Sequence, residues 1–487
     1  MYRLSGTALA VAATVFVQPA LAQAINDDGA KALSQALSTY IGKAAIDQKV
    51  VTVAPQSDAY RLTFDAGKLA ALYGVSPERF QMAPMSLLTA PKSDGTWSVK
   101  GDNFPPVSFT MPTPDGDQHQ EMRFSGYKFD GIYDPKIQYF TSFTNSVDFA
   151  ESKAKSEKAD VSAQIHGLSI DLKGSAVAGG VDAKVTETIK SVTESVTTTV
   201  PGVKGAPPTT MAINIDIGAI NADVNAEAMR SREVMDLWAF FVANAGKDQI
   251  VAHQDDLKAK LKALLPLWNL MAGNVTAQNV AFRIPQGTVG FKSFTENLRF
   301  SGATKDGSAA IGFKFDGLTL PGAILPPWAG SLVPTTMDLN FAFNGADFDK
   351  VARLAIDQAD FKANPPWPPT TKDQLAGIIM QGKPTVTLTK SRLTAADYDL
   401  SFEGEMQVTM PMPTGKLTIM ARDFDKTVAA LQQVATHERQ AQQMFPVLIF
   451  AKGLAKPGPD GQSVWVVEYG ADGVPVVNGQ RLGGPKK

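Results

Sequence analysis

Apolar and polar residues alternate along most of the chain, a pattern typical of strands with one buried face. Residues 26–45 differ, because apolar side chains recur there every three or four positions and so predict a helix. The strand-like segments that follow are separated by Gly, Pro and Asp. In the first half of the chain the predicted strands are 50–64, 97–99, 107–111, 121–129, 137–143, 161–172 and 212–224.

The segment 181–200 allows two interpretations. Val181, Val185, Ile189 and later valines repeat at helical spacing, but many of the residues between them are Thr or Ser. Because β-branched side chains disfavour helices, the segment is either a helix or a long hairpin that ends at Pro201.

A helical pattern occupies residues 229–271 with a break at 244–246, which predicts a helical hairpin between two β-rich halves. Downstream, the pattern predicts strands at 275–300, 309–320, 385–389, 398–408, 416–420, 463–469 and 474–477, and helices at 348–360, 373–380 and 425–451. The predicted organisation is a leader at 1–22, an N-terminal β-rich half at 23–228, a helical connector at 229–272 and a C-terminal β-rich half with helices at 273–487.

Short motifs occur twice in the same order. Arg123-Phe124-Ser125-Gly126 returns as Arg299-Phe300-Ser301-Gly302, and Tyr127-Lys128-Phe129-Asp130-Gly131 returns as Phe313-Lys314-Phe315-Asp316-Gly317. This order favours an internal duplication. The expected fold class is therefore β-rich α+β: an elongated, curved antiparallel sheet built from two related halves, with interspersed helices.

The N-terminus has the three parts of a secretory signal peptide. Arg3 precedes a mostly apolar run at 8–17, and Ala20-Leu21-Ala22 supplies a small-x-small cleavage site. A run of about ten residues is too short to span a bilayer, which needs about 20. We therefore expect cleavage near Ala22 and export.

Composition narrows the class of protein further. The 487 residues are 44% hydrophobic and 19% charged, with a net charge of −2, which makes nucleic acid an unexpected partner. The absence of cysteine excludes disulfides, thiolate metal sites and a lipidated cysteine anchor. Together with the Ala-rich leader, this composition favours the periplasm of a Gram-negative bacterium.

Two passages run from the end of a helix into two paired strands. One passes from Leu264-Leu265-Pro266 through 279–282 to Gly287, and the other passes from Ile378-Ile379-Met380 through 384–393 to Phe402-Glu403-Gly404. Over roughly residues 230–410 this layout resembles the YdgA-like and AsmA-like bacterial envelope proteins. Those families often keep an N-terminal membrane anchor, whereas Ala20-Leu21-Ala22 favours cleavage here. The resemblance implies an envelope role, a sheet able to accommodate lipid, and no catalytic residues.

Residues typical of catalysis or metal binding do not form a recognisable motif. The four histidines, His119, His166, His253 and His437, lie in separate segments, and no pair has the i, i+4 spacing of a helical metal site. The chain lacks a Gly-x-Ser-x-Gly elbow, a phosphate-binding loop and a dinucleotide-binding turn. We expect no cofactor, no metal and no catalytic residues.

Two other repeated features have structural and functional interpretations. Asp347 and Asp423 each begin an Asp-Phe-Asp-Lys motif ahead of a predicted helix, where the carboxylate is expected to cap the helix. Two prolines directly precede both Trp328 and Trp367, whose side chains either fill the core or project toward an apolar partner.

These observations favour non-catalytic binding of a lipid or another amphipathic envelope component, with Trp268, Trp328 and Trp367 as candidate ligand-binding residues and with peripheral membrane contact. A periplasmic hydrolase with a carboxylate-based site and an envelope assembly or structural factor are the alternatives. A continuous apolar surface lined by strand residues would favour lipid binding, and two converging buried carboxylates would favour the enzyme.

Overall fold

A computed structural model describes residues 25–114, 116–200, 209–410 and 412–483. The expected leader lies outside the described residues. The chain is 49% strand and 25% helix, a β-rich α+β fold, which confirms the predicted fold class. It divides into two compact units: the first contains the chain up to Met271 together with Ile356–Pro368, and the second contains Ala272–Ala355 and the chain from Pro369.

The first unit is built on antiparallel strands with two groups of helices. Its strands are β1 (Val51–Gln56), β2 (Ala59–Phe64), β3 (Phe80–Met82), β4 (Met85–Pro91), β5 (Trp97–Gly101), β6 (Val107–Thr113), β7 (Gly116–Ser125), β8 (Lys128–Asp134), β9 (Tyr139–Lys155), β10 (Ala159–Val177), β11 (Gly180–Ile189), β12 (Ser191–Val200), β13 (Thr209–Ile217) and β14 (Ala219–Met229). Its helices are α1 (Asp27–Ile41), α2 (Lys43–Asp47), α3 (Ala66–Leu72), α4 (Ser231–Ala243), α5 (Lys247–Ala252) and α6 (Gln254–Ala263).

Helix α1 follows directly from its sequence pattern. Asn26 caps it by accepting a hydrogen bond from the Gly29 amide at 2.9 Å. Its apolar positions Leu33 and Leu37 are buried in a cluster that also contains Tyr60, Trp97, Tyr133 and Leu172 from the sheet. The core of the first unit therefore lies between this helix and one face of the sheet.

Two long strands organise the sheet of the first unit. Along one side, β9 pairs with β7 and then with β8; along the other it pairs with β10, which in turn pairs with both β11 and β12. Glycines in the left-handed region, Gly126 (φ +65°) and Gly167 (φ +63°), interrupt this ladder. A Cβ at Gly167 would lie 2.6 Å from Cδ of Lys190, so the Lys190 side chain packs closely over the backbone at this glycine.

The segment 181–200 is extended and forms neither a helix nor a hairpin of its own, so both expected alternatives are wrong. Strands β11 and β12 are joined at Lys190, and both pair with β10. The valines that suggested a helix are spaced by four, which also fits alternate positions of a strand. Most of the intervening Thr and Ser residues, such as Thr186 and Ser195, then face the other side of the sheet.

The second unit also consists mainly of antiparallel strands. Its strands are β15 (Leu270–Ile284, which begins at the end of the first unit), β16 (Gly287–Ser301), β17 (Gly307–Asp316), β18 (Thr336–Ala346), β19 (Thr385–Thr394), β20 (Asp399–Gln407), β21 (Thr414–Arg422), β22 (Lys456–Pro457), β23 (Ser463–Tyr469), β24 (Pro475–Val477) and β25 (Gln480–Arg481). The remaining helices of the chain are α7 (Phe348–Gln358), α8 (Thr371–Gln381), α9 (Phe424–Val434) and α10 (Arg439–Leu454), with 3-10 turns at Pro327–Leu332 and Pro459–Gly461.

The strands from β16 to β21 pair each with the next, and β21 pairs with β23. At the β21–β23 end, α9 and α10 contribute Phe424, Val428, Phe445 and Leu448 to a cluster with Trp465. The Trp465 indole N–H donates to the Ala451 carbonyl at 2.7 Å, which fixes α10 against the sheet. The core of the second unit therefore lies under these two helices.

Several elements differ from the sequence-based expectations, and two differences bear on the second unit. Strand β18 was not predicted, although Met337, Leu339, Phe341 and Phe343 alternate with polar or small residues. The helix expected at 425–451 is two helices, α9 and α10, with non-helical backbone between them.

The repeated glycines also adopt different conformations. Gly131 lies inside β8 and pairs with Phe143, whereas Gly317 follows β17 in the left-handed region at φ +65°. The repeated motif therefore does not build the same local structure twice, and duplication stays a prediction.

The two Asp-Phe-Asp-Lys motifs both precede helices, but they act differently. Asp347 caps α7, because its carboxylate accepts a hydrogen bond from the Lys350 amide at 2.9 Å. Asp423 makes no side-chain capping bond to α9 and instead forms an ion pair with Lys426 at 2.7 Å. The left-handed backbone of Asp423 (φ +56°) accounts for the difference, since a capping residue normally has extended backbone. Capping is thus confirmed at Asp347 and wrong at Asp423.

Candidate functional site

The sheet of the second unit has one face that is mainly apolar across six consecutive strands. Residues paired directly between antiparallel neighbours project to the same side, so the pairing register defines this face. In the row through its centre, Ile311 pairs with Phe341 and Phe341 pairs with Leu388. The apolar residues of the second-unit face are Phe294, Leu298, Ile311, Phe313, Phe315, Met337, Leu339, Phe341, Phe343, Val386, Leu388, Leu400, Phe402, Leu417 and Ile419. Glu296, which pairs with Phe313, and Ser391, which pairs with Phe402, are polar residues on the same side.

Much of the second-unit face lies outside the buried cluster. Helices α9 and α10 pack over Leu400 and Ile419, and Phe348 of α7 stacks on Phe343 with ring centroids 6.2 Å apart. Between these covered ends, Leu339 and Leu388 are half-buried and Phe341 is 39% exposed. An aromatic side chain so exposed in the middle of a sheet leaves apolar surface available for a ligand.

The first unit also has an apolar sheet face, which continues from its core because Leu172 of the buried cluster pairs with Val185. On β14, Ile220, Ala222 and Val224 are half-buried, whereas Asn221 and Asp223 on the other side are exposed. The first-unit face comprises Ile170, Val185, Ile189, Ile220, Ala222 and Val224 and, beyond Gly167, Ala163, Ile165, Val192, Val196, Ile213, Ile215 and Ile217. Its strands therefore separate an apolar side from a polar side, as the alternation in the sequence requires.

Two carboxyl residues interrupt the first-unit face: Glu187, and Glu194, which pairs with Ala163 and with Ile215. Glu187 pairs with Ile170 on one side and with Ala222 on the other. Burial raises the pKa of Glu187 above its ordinary value. The sequence already carried a signal for this residue, because Glu187 stands between Val185 and Ile189 at the alternate positions that face inward.

The three candidate tryptophans occupy different environments. Trp268 is half-buried in the connection between α6 and β15, and Trp367 is 47% exposed in the Pro-rich loop of the first unit. Trp328 belongs to the second unit, in the 3-10 turn Pro327–Leu332, and its buried indole N–H has no hydrogen-bond partner among the described residues. Their role in ligand binding stays a prediction.

The first unit also has a cleft of about 330 Å³, lined by Gln81, Met82, Ala83, Pro106, Val107, Ser108, Glu121, Met122 and Arg123. Its carboxylate, Glu121, lies 3.4 Å from His119 Nε2 and 3.4 Å from the Arg123 guanidinium. The hydrolase alternative requires two carboxyl groups in one site, and Glu121 is the one carboxyl residue among those that line the cleft. The cleft therefore offers no specific support for the hydrolase alternative.

Across the described ranges, no group of three or more His, Asp or Glu side chains is arranged to hold a metal ion. His119 bonds to the Thr110 hydroxyl at 3.1 Å, and His166 lies against the Phe149 ring with centroids 4.9 Å apart. Within the same part of the chain, no helix is long and apolar enough to cross a membrane.

The fold and these surfaces define a β-rich α+β protein whose two units each carry an extended apolar sheet face. Residues 235–468 match the model of a family described as "Uncharacterized protein conserved in bacteria (DUF2125)". The matched region covers α4 to β23 and includes the whole second-unit face. No curated protein and no solved structure matches the chain.

Proposed function

We propose that this protein is exported to the periplasm and binds the apolar chains of a lipid or another amphipathic envelope component on its sheet faces. The observation that carries the proposal is the second-unit face, where apolar side chains from six strands form one surface and Phe341 is 39% exposed at its centre. Hydrophobic surface of this extent is unfavourable in water, and binding an apolar chain removes it from solvent.

Other features support the same proposal. The charge pattern and cleavage site at residues 3–22 are those of an exported protein. The passages at 264–287 and 378–404 resemble YdgA-like and AsmA-like envelope proteins, for which lipid accommodation is implied. Trp367, exposed beside rigid prolines, would provide peripheral membrane contact.

The test is to identify lipids that co-purify with the protein from its native compartment, by mass spectrometry. Phe341→Asp places a charge on the second-unit face, and Ala342→Asp places the same charge on the opposite side of β18, beside Ala310 and Thr387. We expect lipid with the wild type and with Ala342→Asp, and a strong loss with Phe341→Asp.

Two outcomes would contradict the proposal. Wild-type protein that carries no lipid, or equal lipid content in the two Asp variants, would exclude the second-unit face as the binding surface. Export is tested separately by sequencing the N-terminus of the recovered protein, which should begin near Gln23. An intact Met1 on protein from the cytosol would refute export.

A further inference from the structure

The nearest neighbours of Glu187 on its face of the sheet, along its own strand and on both adjacent strands, are all apolar. Along β11 its neighbours on the same face are Val185 and Ile189, and across the strands it pairs with Ile170 and Ala222. None of these four side chains is able to bond to a carboxylate. A carboxyl group in such surroundings loses hydration without compensation.

Asp171 and Asp223 are placed differently, whereas Glu194 also lies on the first-unit face, between Val192 and Val196. Asp171 accepts a hydrogen bond from the Thr144 hydroxyl at 2.8 Å, and Asp223 accepts one from the Thr186 hydroxyl at 2.9 Å. Both lie on the opposite side of the sheet from Glu187. For Glu187, burial is the one cause of its raised pKa, with no ion pair or hydrogen bond from a described residue.

A second acceptor on the same face also lacks a donor. Asn145 pairs with Ile170 from β9, so Asn145, Ile170 and Glu187 form one row across three strands. The Asn145 Oδ1 atom is buried and has no hydrogen-bond partner among the described residues. Strands lie about 4.8 Å apart, so the two Cα positions are separated by about 10 Å, and side chains from both can reach one group above Ile170.

We propose that Glu187 and Asn145 bind the protonated primary amine of an amphipathic ligand whose apolar chains lie on the first-unit face. This inference rests on the proposed function and adds a head group to it. An ammonium has three N–H donors and no acceptor, which complements a carboxylate and an amide oxygen. A bond between two charged groups is also stronger than one between neutral groups, and a phosphate without an amine would be repelled by Glu187.

The experiment uses the full chain and three short-chain probes below their micellar concentrations: dioctanoyl phosphatidylethanolamine, phosphatidylcholine and phosphatidylglycerol. The first has N–H donors, the second has a positive charge without N–H, and the third has neither. Isothermal titration calorimetry should show phosphatidylethanolamine binding at least about tenfold more tightly than the other two.

Substitutions then assign the preference to the site. Glu187→Gln keeps the shape of the side chain and should abolish the preference while leaving phosphatidylglycerol binding no weaker. Asn145→Leu should reduce the preference. The control Glu227→Gln removes a carboxylate from the exposed side of β14 and should preserve it.

The outcomes separate the two proposals. Equal binding of all three probes, or an equal loss of all three in Glu187→Gln, overturns the amine site but keeps lipid binding. A preference for phosphatidylethanolamine that survives Glu187→Gln also overturns it. Failure of all three probes to bind overturns both the amine site and the binding function on which it rests.

Discussion

Phe341 permits a quantitative prediction, because the exposed part of its side chain should contribute to ligand affinity and the buried part to the free energy of unfolding. It is 39% exposed, which for a Phe side chain of about 200 Å² leaves about 80 Å² in water. A ligand that covers this area gains about 2 kcal/mol at about 25 cal/mol per Å². Phe341→Ala should therefore weaken binding of dioctanoyl phosphatidylglycerol about 30-fold in calorimetric titrations. The buried part, about 120 Å², should appear separately as about 3 kcal/mol of lost unfolding free energy in urea denaturation.

The matched control is Phe241→Ala, since Phe241 is also 39% exposed but lies on helix α4 of the first unit. It should leave the dissociation constant of the probe unchanged. If the two alanine variants weaken binding equally, or if Phe341→Ala loses stability without losing affinity, then Phe341 does not contact the ligand and the reasoning from its exposure fails.

Three further predictions concern the folded chain alone. Gly167→Ala should lower the unfolding free energy by about 1–2 kcal/mol in both the wild-type and the Lys190→Ala backgrounds. Removing the Lys190 side chain relieves the close contact with the new Cβ, but the left-handed backbone at residue 167 remains unfavourable for Ala. No loss in urea denaturation would refute this. Glu187→Gln should raise the unfolding free energy at pH 7, because the raised pKa of Glu187 makes its ionised form unfavourable in the folded state. The gain should vanish as the pH falls through that pKa, and a gain that persists at low pH in urea denaturation would contradict the assignment. Asp347→Ala should cost about 1 kcal/mol through loss of its capping bond, whereas Asp423→Asn should cost less than about 0.5 kcal/mol because it removes an exposed ion pair; equal losses in thermal melts would show that the two residues do not differ in role.

The sequence by itself determined most local structure. Helix α1 and its Asn26 cap, the cap at Asp347, and the two-sided character of strands such as β14 all follow from the spacing of apolar and polar residues. These features depend on contacts within a few residues, which a linear pattern records directly. Strand β18 was equally visible in its alternation and was missed.

Tertiary structure decided what depends on residues far apart in the chain. The valines of 181–200 fit a helix or a strand, and pairing with β10 made them strands. The row that joins Asn145, Ile170 and Glu187 exists because three strands are in register, and no local spacing encodes that register. The exposure of Phe341 likewise depends on where α7, α9 and α10 stop covering the sheet, since burial is a property of neighbours that only folding brings together.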